Sequence, residues 1–162
     1  MIRPAALSDL PRALEIYDSA RQFMRRSGNS AQWVNGYPSP ALLREDVAAG
    51  HLFVMEDDGH IYGVFAFIIG EDPTYTVIDG AWLDSSPYGT LHRLGSDGSR
   101  TGVLAEAVTW AMARILHLRA DTHESNLPMR RCLERCGFAY TGVIHVADGT
   151  PRYAYEKTES SG

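Results

Sequence analysis

The sequence is poor in the features that mark membrane, nucleic-acid-binding and disulfide-rich proteins. Its 162 residues contain no apolar run as long as a membrane span, no internal repeat and only two cysteines. Acidic residues outnumber basic ones by 20 to 15, which argues against binding nucleic acid through a broad basic face. Residues 1–4 lack the pattern of a signal peptide. We therefore expect a cytoplasmic protein with neither nucleic acid nor a membrane among its partners.

The two cysteines, Cys132 and Cys136, lie close together in a stretch with helical periodicity. No further cysteine or suitably spaced histidine accompanies them, so the sequence predicts no metal site. We interpret both as small core residues of a protein in a reducing compartment, rather than as a redox pair.

Length and composition predict one globular α/β (α+β) domain over residues 1–162, with 158–162 as a flexible tail. Hydrophobic residues make up 44% of the chain and charged residues 22%, a balance typical of soluble globular domains. Apolar periodicity and turn residues predict strands at 2–4, 51–55, 61–69, 75–83, 88–94, 117–122, 138–146 and 151–157, and helices at 10–26, 41–49, from 103, and from 126 to 137. This order predicts a mixed, mostly antiparallel central sheet flanked by helices.

Residues 91–106 carry the clearest functional pattern. An apolar strand leads into a segment punctuated by Gly95, Gly98 and Gly102, and a helical pattern begins directly after it. The first N–H groups of a helix have no partner within the helix, and its dipole places partial positive charge there. Glycine lets the backbone approach an anion closely. Because Arg100 adds a positive charge, we predict that this loop binds a pyrophosphate.

The order of elements and two motifs resemble the GNAT superfamily of acetyl-CoA-dependent N-acetyltransferases over almost the whole chain. The run Ser99-Arg100-Thr101-Gly102-Val103-Leu104 is similar to the family's Arg/Gln-x-x-Gly-x-Gly/Ala loop. A later helix begins at Asn126 and closes with Gly137-Phe138 at the family's spacing, and Ile2-Arg3-Pro4 is similar to its opening strand. The resemblance implies a single GNAT-like domain that takes acetyl-CoA as its cofactor.

The resemblance also assigns a cofactor site. It implies that main-chain groups of Leu94 and Ser96 pair with the pantetheine arm and that Asn126 binds the arm from the other side. Arg131 and its neighbour Arg130 lie where they can reach the phosphates, although a plain solvated helix face is the alternative. The predicted cofactor-binding residues are Leu94, Gly95, Ser96, Ser99, Arg100, Thr101, Gly102, Val103, Leu104, Asn126 and Arg131.

Three positions depart from the family pattern. Ser99 replaces an arginine or glutamine, and Leu104 replaces a glycine or alanine. Leu133 stands where many members have a tyrosine that protonates the departing thiolate. The role of that tyrosine is therefore not carried over, and solvent or another group must supply the proton.

Two histidines are candidates for the catalytic base that a protonated amine requires. His92 lies two residues before Leu94, so in a strand both would share the face toward the acetyl group; the alternative is a half-buried histidine bonded to a neighbour. His123 follows the next strand, near the expected acetyl position, and its alternative is capping of the helix that follows. We expect the other histidines to lie at the surface: His51, His60, His117 and His145.

The acceptor-binding candidates lie in loops that the family places over the acceptor cleft. We predict an aromatic-walled pocket that can hold an amine by cation–π contact, formed by Trp33, Tyr37, Tyr75 and Trp82. The alternative is that these rings only pack the loops onto the sheet. Asp79 is a candidate base or amine anchor, or else a turn residue beside Gly80.

The leading hypothesis is an N-acetyltransferase that moves acetyl from acetyl-CoA to a primary amine of a small molecule or peptide, by direct attack in a ternary complex. The alternative is a catalytically impaired CoA-binding regulatory or interaction module. A third, a nucleotide-binding protein, lacks the Gly-Lys-Ser/Thr end of a P-loop. The resemblance is also compatible with a homodimer.

Overall fold

The structure, a computed structural model, describes residues 1–30, 32–34 and 36–159. The strands within this part are β1 (Ile2–Pro4), β2 (Leu52–Asp57), β3 (His60–Ile69), β4 (Asp79–Gly80), β5 (Gly89–Ser96), β6 (Leu118–Thr122), β7 (Ala139–His145) and β8 (Pro151–Lys157). The α-helices are α1 (Leu10–Arg26), α2 (Pro40–Ala49), α3 (Val103–Met112) and α4 (Leu127–Arg135).

The chain forms two compact units. The first comprises Met1–Phe67 and His92–Val103, and the second comprises Ile68–Leu91 and the chain from Leu104 onward. Strand β5 contributes residues to both, and hydrogen-bonded neighbours follow the order β1-β2-β3-β5-β6-β8-β7-β4. The predicted α/β class with a mixed sheet and helices is confirmed, whereas the extent of the domain and its tail stay predictions, and residues 160–162 lie outside the described residues.

In the first unit, β1, β2 and β3 pair in antiparallel fashion. The β2–β3 hairpin turns at Asp58 and Gly59, whose φ angles of +49° and +77° suit an Asp-Gly turn. The side chains of α1 that repeat at helical spacing are buried with residues of α2, β2 and β3: Leu10, Ala13, Ile16, Tyr17, Leu43, Val54, Val64 and Ala66.

Helix α2 is capped at both ends by the residues next to it. The Ser39 hydroxyl accepts a hydrogen bond of 3.1 Å from the Leu42 N–H, and Pro40 occupies the first helical position. Gly50 ends the helix with a φ of +74°, in the left-handed region that glycine adopts without strain.

In the second unit, β5 and β6 are parallel at Gly89–Leu118 and Thr90–Arg119. The pairs β6–β8, β8–β7 and β7–β4 are antiparallel. Tyr75, Tyr88, Ile144 and Ala154 form a buried cluster. The side chain of Asn126 accepts a hydrogen bond of 3.3 Å from the Met129 N–H and caps α4.

The predicted strand over 75–83 is wrong. Only Asp79 and Gly80 are extended there, as β4, while residues 73–75 form a short 3₁₀ turn. The Tyr75 hydroxyl donates to Asp121 at 2.6 Å, and the Trp82 indole N–H donates to the Tyr75 carbonyl at 2.9 Å. These contacts gather an apolar, β-prone segment into a packed loop instead of a strand. No helix of the described chain is long and apolar enough to cross a membrane.

Candidate functional site

The loop between β5 and α3 leaves several backbone N–H groups without a hydrogen-bond partner. Gly98 and Gly102 adopt left-handed φ angles of +79° and +75°. The N–H of Gly98 donates to the Ser96 hydroxyl at 3.1 Å, and that of Ser99 to the Asp97 carboxylate at 2.9 Å. In the part of the chain that the structure describes, no group accepts from the N–H of Arg100, Thr101, Gly102 or Val103. These donors, at the start of a helix, can bind an anion.

Side chains from the first unit hold this loop in place. The carboxylate of Asp97 lies 2.7 Å from the Arg12 guanidinium and 2.9 Å from His60. Partial burial opposes ionisation, but hydrogen bonds from Ser99 and the charges of His60 and Arg12 outweigh it and lower the pKa of Asp97. Arg100 lies 3.6 Å above the centre of the Tyr62 ring. The β2–β3 hairpin thus binds the Arg100 guanidinium, and a contact of Arg100 with phosphate stays a prediction.

Gly95 has a different role from the one its sequence context suggests. It lies inside β5 rather than in the loop, and its φ angle is not left-handed. A Cβ atom at this position would lie 3.2 Å from the Tyr17 ring and 3.3 Å from Ile16. Gly95 is therefore explained by the close approach of α1. Its predicted place in the loop is wrong, whereas a role in binding the cofactor stays a prediction.

The two residues at the start of α3 are buried. Val103 and Leu104 expose 7% and 8% of their surface. The Leu104 side chain is therefore part of the packed interior, and its N–H is the group that remains relevant to the predicted cofactor site.

In strand β5, side chains do not simply alternate between the two faces next to His92, the predicted catalytic histidine. Arg93 has a φ of +51°, in the left-handed region, and its carbonyl oxygen accepts a hydrogen bond of 2.7 Å from the Tyr17 hydroxyl. The argument that His92 and Leu94 share a face assumed an extended Arg93, so that argument is wrong. A catalytic role for His92 stays a prediction on other grounds, since the residue is half-buried in the strand that leads to the loop.

At the end of β6, His123 is fixed by the residue that begins the next turn. Its Nδ1 accepts the Ser125 N–H at 3.1 Å and lies 2.7 Å from the Ser125 hydroxyl. A nitrogen that accepts an N–H is unprotonated, so the neutral ring carries its proton on Nε2. Burial, followed by the charge of Arg152, lowers the pKa of His123. Burial and Arg152 thus favour the neutral form of His123, and its role as a catalytic base stays a prediction.

A carboxylate that the sequence did not single out lies two residues before His123. Asp121 accepts a 2.6 Å hydrogen bond from the buried hydroxyl of Tyr75, and burial together with the charge of Asp121 raises the pKa of Tyr75. Within the described chain, no cationic side chain pairs with Asp121. The only sequence signal was its place near the carboxyl end of a strand.

The predicted aromatic wall divides into buried and exposed rings. Trp33 and Tyr75 are 9% and 1% exposed, so both rings are packed against their surroundings. Trp82 stacks on the Arg119 guanidinium at 3.9 Å and is half-buried. Tyr37 remains 39% exposed, and Asp79 is exposed in β4. A role in acceptor binding stays a prediction for all five.

The two arginines of α4 differ in their contacts. Arg130 donates to the Tyr155 hydroxyl at 3.2 Å and to the Glu124 carbonyl at 2.8 Å. Arg131 is exposed and has no ion pair with any described residue. A contact of Arg131 with CoA phosphates stays a prediction. Asn126 caps α4, and its contact with the pantetheine arm stays a prediction as well.

His117 is not at the surface, contrary to the prediction. It is 4% exposed, and its Nε2 lies 2.5 Å from the Glu156 carboxylate. His60 and His145 are exposed as expected. Among the described residues, no group of three or more histidine, cysteine, aspartate or glutamate side chains is placed to hold a metal ion.

Similar solved structures identify the fold. No protein-family model matches the sequence, and no curated protein matches it. A GNAT-family acetyltransferase from Streptococcus agalactiae is 31% identical, with a TM-score of 0.85 over 98% of this chain and 94% of that chain.

Two further structures share the fold at lower identity. One is AAC(6')-Ib in complex with ribostamycin and coenzyme A, at 20% identity and a TM-score of 0.67 over 99% of this chain and 94% of that one. The other is a ribosomal-protein-alanine N-acetyltransferase from Brucella melitensis, at 20% identity and a TM-score of 0.62 over 98% and 99%. With the 31% identical relative aligned over nearly its whole length, the chain belongs to the GNAT family of acetyltransferases, which confirms the predicted acetyl-CoA-dependent acyltransferase.

Proposed function

We propose that the protein transfers the acetyl group of acetyl-CoA to a primary amine of a small molecule or peptide, by direct attack in a ternary complex. Family membership supports acetyl transfer. The names of two structural relatives are in keeping with an amine acceptor, since one acetylates a ribosomal-protein alanine and the other was solved with ribostamycin.

The observation that carries the proposal is the unpaired carboxylate of Asp121. One of its oxygens accepts the Tyr75 hydroxyl, and no described cation offsets its charge. A half-buried carboxylate without a cation is costly unless a ligand supplies one. A protonated amine supplies that charge and several N–H donors, so Asp121 is suited to bind the acceptor before it reacts.

Each of these residues has a separate role in the proposed reaction. Acetyl-CoA supplies the activated acetyl group. The N–H groups of Arg100 to Val103 bind its pyrophosphate, and Asp121 positions the amine while its proton passes to a base, for which His92 is the candidate. The amine nitrogen forms the new C–N bond as the C–S bond breaks, and the thiolate takes its proton from solvent. No side chain is assigned as the acid, because Leu133 is 1% exposed and apolar.

Leu133 favours the alternative, a CoA-binding module without efficient catalysis. Release of the free CoA thiol separates the two functions when it is measured over a panel of primary amines. We expect release with at least one amine, and acetyl-CoA should raise the melting temperature by linkage. A rise in melting temperature without thiol release over the whole panel would establish the binding module instead.

Asp121→Asn tests the carboxylate directly. We expect KM for the amine to rise by about tenfold or more, with the Kd for acetyl-CoA unchanged, because the variant removes a charge that only the amine meets. Asp148→Asn is the matched control, since this aspartate lies exposed in the β7–β8 turn. An unchanged KM in Asp121→Asn would show that the amine is held elsewhere.

A further inference from the structure

Arg93 is an arginine buried inside the first unit with part of its hydrogen-bonding capacity unused. Its side chain is 10% exposed, and its Nε atom is buried without any hydrogen-bond partner. One Nη atom donates to Asp46 at 2.8 Å, and the other donates to the Tyr37 hydroxyl at 3.3 Å. A guanidinium has five N–H donors, so two partners leave it under-satisfied. Buried donors of charged groups are rarely left so, and each such case calls for an explanation.

The surrounding residues hold the backbone of Arg93 in an unfavourable conformation. Arg93 has a left-handed φ of +51° in the middle of β5, a conformation that is strained for a side chain with a Cβ. The fully buried Tyr17 hydroxyl holds it there by donating to the Arg93 carbonyl at 2.7 Å. The missing side chain of Gly95 allows the Tyr17 ring to come this close. Strain that the surroundings maintain in this way is typical of binding and catalytic sites.

A second unused donor lies on Tyr37, one of the two partners of the Arg93 guanidinium. The Tyr37 hydroxyl accepts from Arg93, and its own hydrogen has no acceptor among the residues that the structure describes. Tyr37 is also the exposed member of the group, with 39% of its surface accessible. The 3.3 Å bond between Arg93 and Tyr37 is long, so it is the contact that a ligand displaces most easily.

The charged groups around Arg93 and Tyr37 are compatible with a bound anion. Asp46 is 7% exposed and offsets Arg93. Arg21 of α1 donates to the Tyr37 carbonyl at 3.1 Å, and its own partner Asp18 is 3.8 Å away and 60% exposed. Burial opposes the charged form of Arg93, but Tyr37 and Asp46 outweigh it and raise its pKa, so the guanidinium stays charged.

We propose that Arg93 and Tyr37 bind a carboxylate of the acceptor, so that the substrates are amines that also carry a carboxylate, such as amino acids. The carboxylate enters between the Arg93 guanidinium and the Tyr37 hydroxyl. Its oxygens accept hydrogen bonds from both, in place of the long bond between the two side chains, and Arg21 adds positive charge at the rim. This inference rests on the proposed acetyl transfer to an amine and narrows its substrate class.

The test compares amino acids with the amines that remain when their carboxylate is removed. Suitable pairs are L-phenylalanine and 2-phenylethylamine, L-tryptophan and tryptamine, L-histidine and histamine, and L-lysine and cadaverine. We expect kcat/KM for CoA release to favour the amino acid at least tenfold in one or more pairs. Equal or better use of the decarboxylated amine in every pair that reacts would overturn the carboxylate site and leave acetyl transfer to amines intact.

Two variants separate binding from a merely structural role. Tyr37→Phe and Arg93→Lys should each reduce the ratio of kcat/KM within a pair by at least fivefold, because only the carboxylate-bearing member uses these donors. If these residues have only a structural role, kcat/KM falls alike for both members of a pair and the ratio stays unchanged. That result would refute the proposal. Arg114→Lys is the control, since Arg114 stacks on Trp110 outside this group.

Binding is measured separately so that the outcome does not depend on turnover. The same eight compounds are titrated by calorimetry into the protein saturated with CoA. If an amino acid binds, its decarboxylated partner does not, and Arg93→Lys removes the binding, the carboxylate site stands even when no thiol is released. If no amino acid binds more tightly than its partner and none is preferred in turnover, the carboxylate site is wrong.

Discussion

The Nε2 atom of His117 lies 2.5 Å from a carboxylate oxygen of Glu156, and both side chains are almost wholly removed from solvent. The same carboxylate accepts the Leu83 N–H at 2.6 Å and lies 3.4 Å from the Arg119 Nε. Arg119 in turn stacks between Trp82 and the ring of Tyr88. One buried carboxylate therefore ties the loop before β5 to strands β6 and β8.

Glu156→Gln should strongly destabilise the second unit, because it removes the buried negative charge that lies against the Arg119 guanidinium and the His117 ring. Breaking a buried ion pair costs about 3–5 kcal/mol, which lowers the melting temperature of a chain of this size by roughly 10 °C. Thermal unfolding followed by circular dichroism checks this. Glu159→Gln is the control, since that carboxylate is exposed. A shift below about 2 °C in Glu156→Gln would show that the network contributes little.

His92→Ala should reduce turnover by about 100-fold or more if His92 is the base, because general base catalysis contributes at least that much. The Kd for acetyl-CoA should stay the same, since the base acts on the amine. Turnover is measured by thiol release with an amine that the wild type accepts, and His145→Ala serves as the exposed control. Unaltered turnover would remove His92 from the mechanism.

Gly102→Val should weaken acetyl-CoA binding by about tenfold or more. Gly102 has a φ of +75°, which costs a β-branched residue roughly 1–3 kcal/mol, so the loop must change shape and its N–H groups turn away. No heavy atom lies within 4 Å of the added Cβ, so a clash does not explain the loss. Gly149→Val, at a φ of +84° in the β7–β8 turn, imposes a similar strain elsewhere. Equal losses of affinity in both variants would contradict our placement of the pyrophosphate.

Asp9 should make stability depend on pH in the acid range. A hydrogen bond from Arg3 is the main cause that lowers the pKa of Asp9, although partial burial acts against it. A lowered pKa in the folded state adds stability that is fully present above the ordinary value of 3.8 and lost as pH falls through the folded value.

The melting temperature should therefore be level from pH 7 to 5 and fall below pH 4. Asp9→Asn should lower the melting temperature at pH 7 and flatten that fall, whereas Asp58→Asn, in the exposed β2–β3 turn, should change neither. An acid-range slope in Asp9→Asn as steep as that of the wild type would assign the pH dependence to other groups.

The sequence predicted those parts of the fold that local chemistry determines. The helices over 10–26 and 41–49 and the strands of the β2–β3 hairpin depend on neighbours within a few residues, and the structure has all of them with ends close to those predicted. The glycine-punctuated loop before α3 was equally readable, because Gly98 and Gly102 have the left-handed backbone that glycine favours.

The errors have long-range causes. His117 is buried because Glu156 lies beside it, 39 residues away in sequence. Arg93 is left-handed because Tyr17 captures its carbonyl from 76 residues away. The segment 75–83 is strand-like in composition, but Tyr75 finds its partner Asp121 in β6, 46 residues later. Such contacts leave no local pattern in the sequence. They involve Asp121, on which the proposed amine site depends, and Arg93, on which the proposed carboxylate site depends.

The short pairing of β4 with β7 limits how this protein can diversify. Gly80 and Gly142 face each other with φ angles of +134° and +152°, and a carbon added to either would lie 2.3 Å from a backbone oxygen of the opposite strand. Since backbone rather than a side chain occupies the space, no second substitution can restore it. Natural or engineered changes in the loops on either side of β4 therefore have to leave Gly80 and Gly142 unchanged.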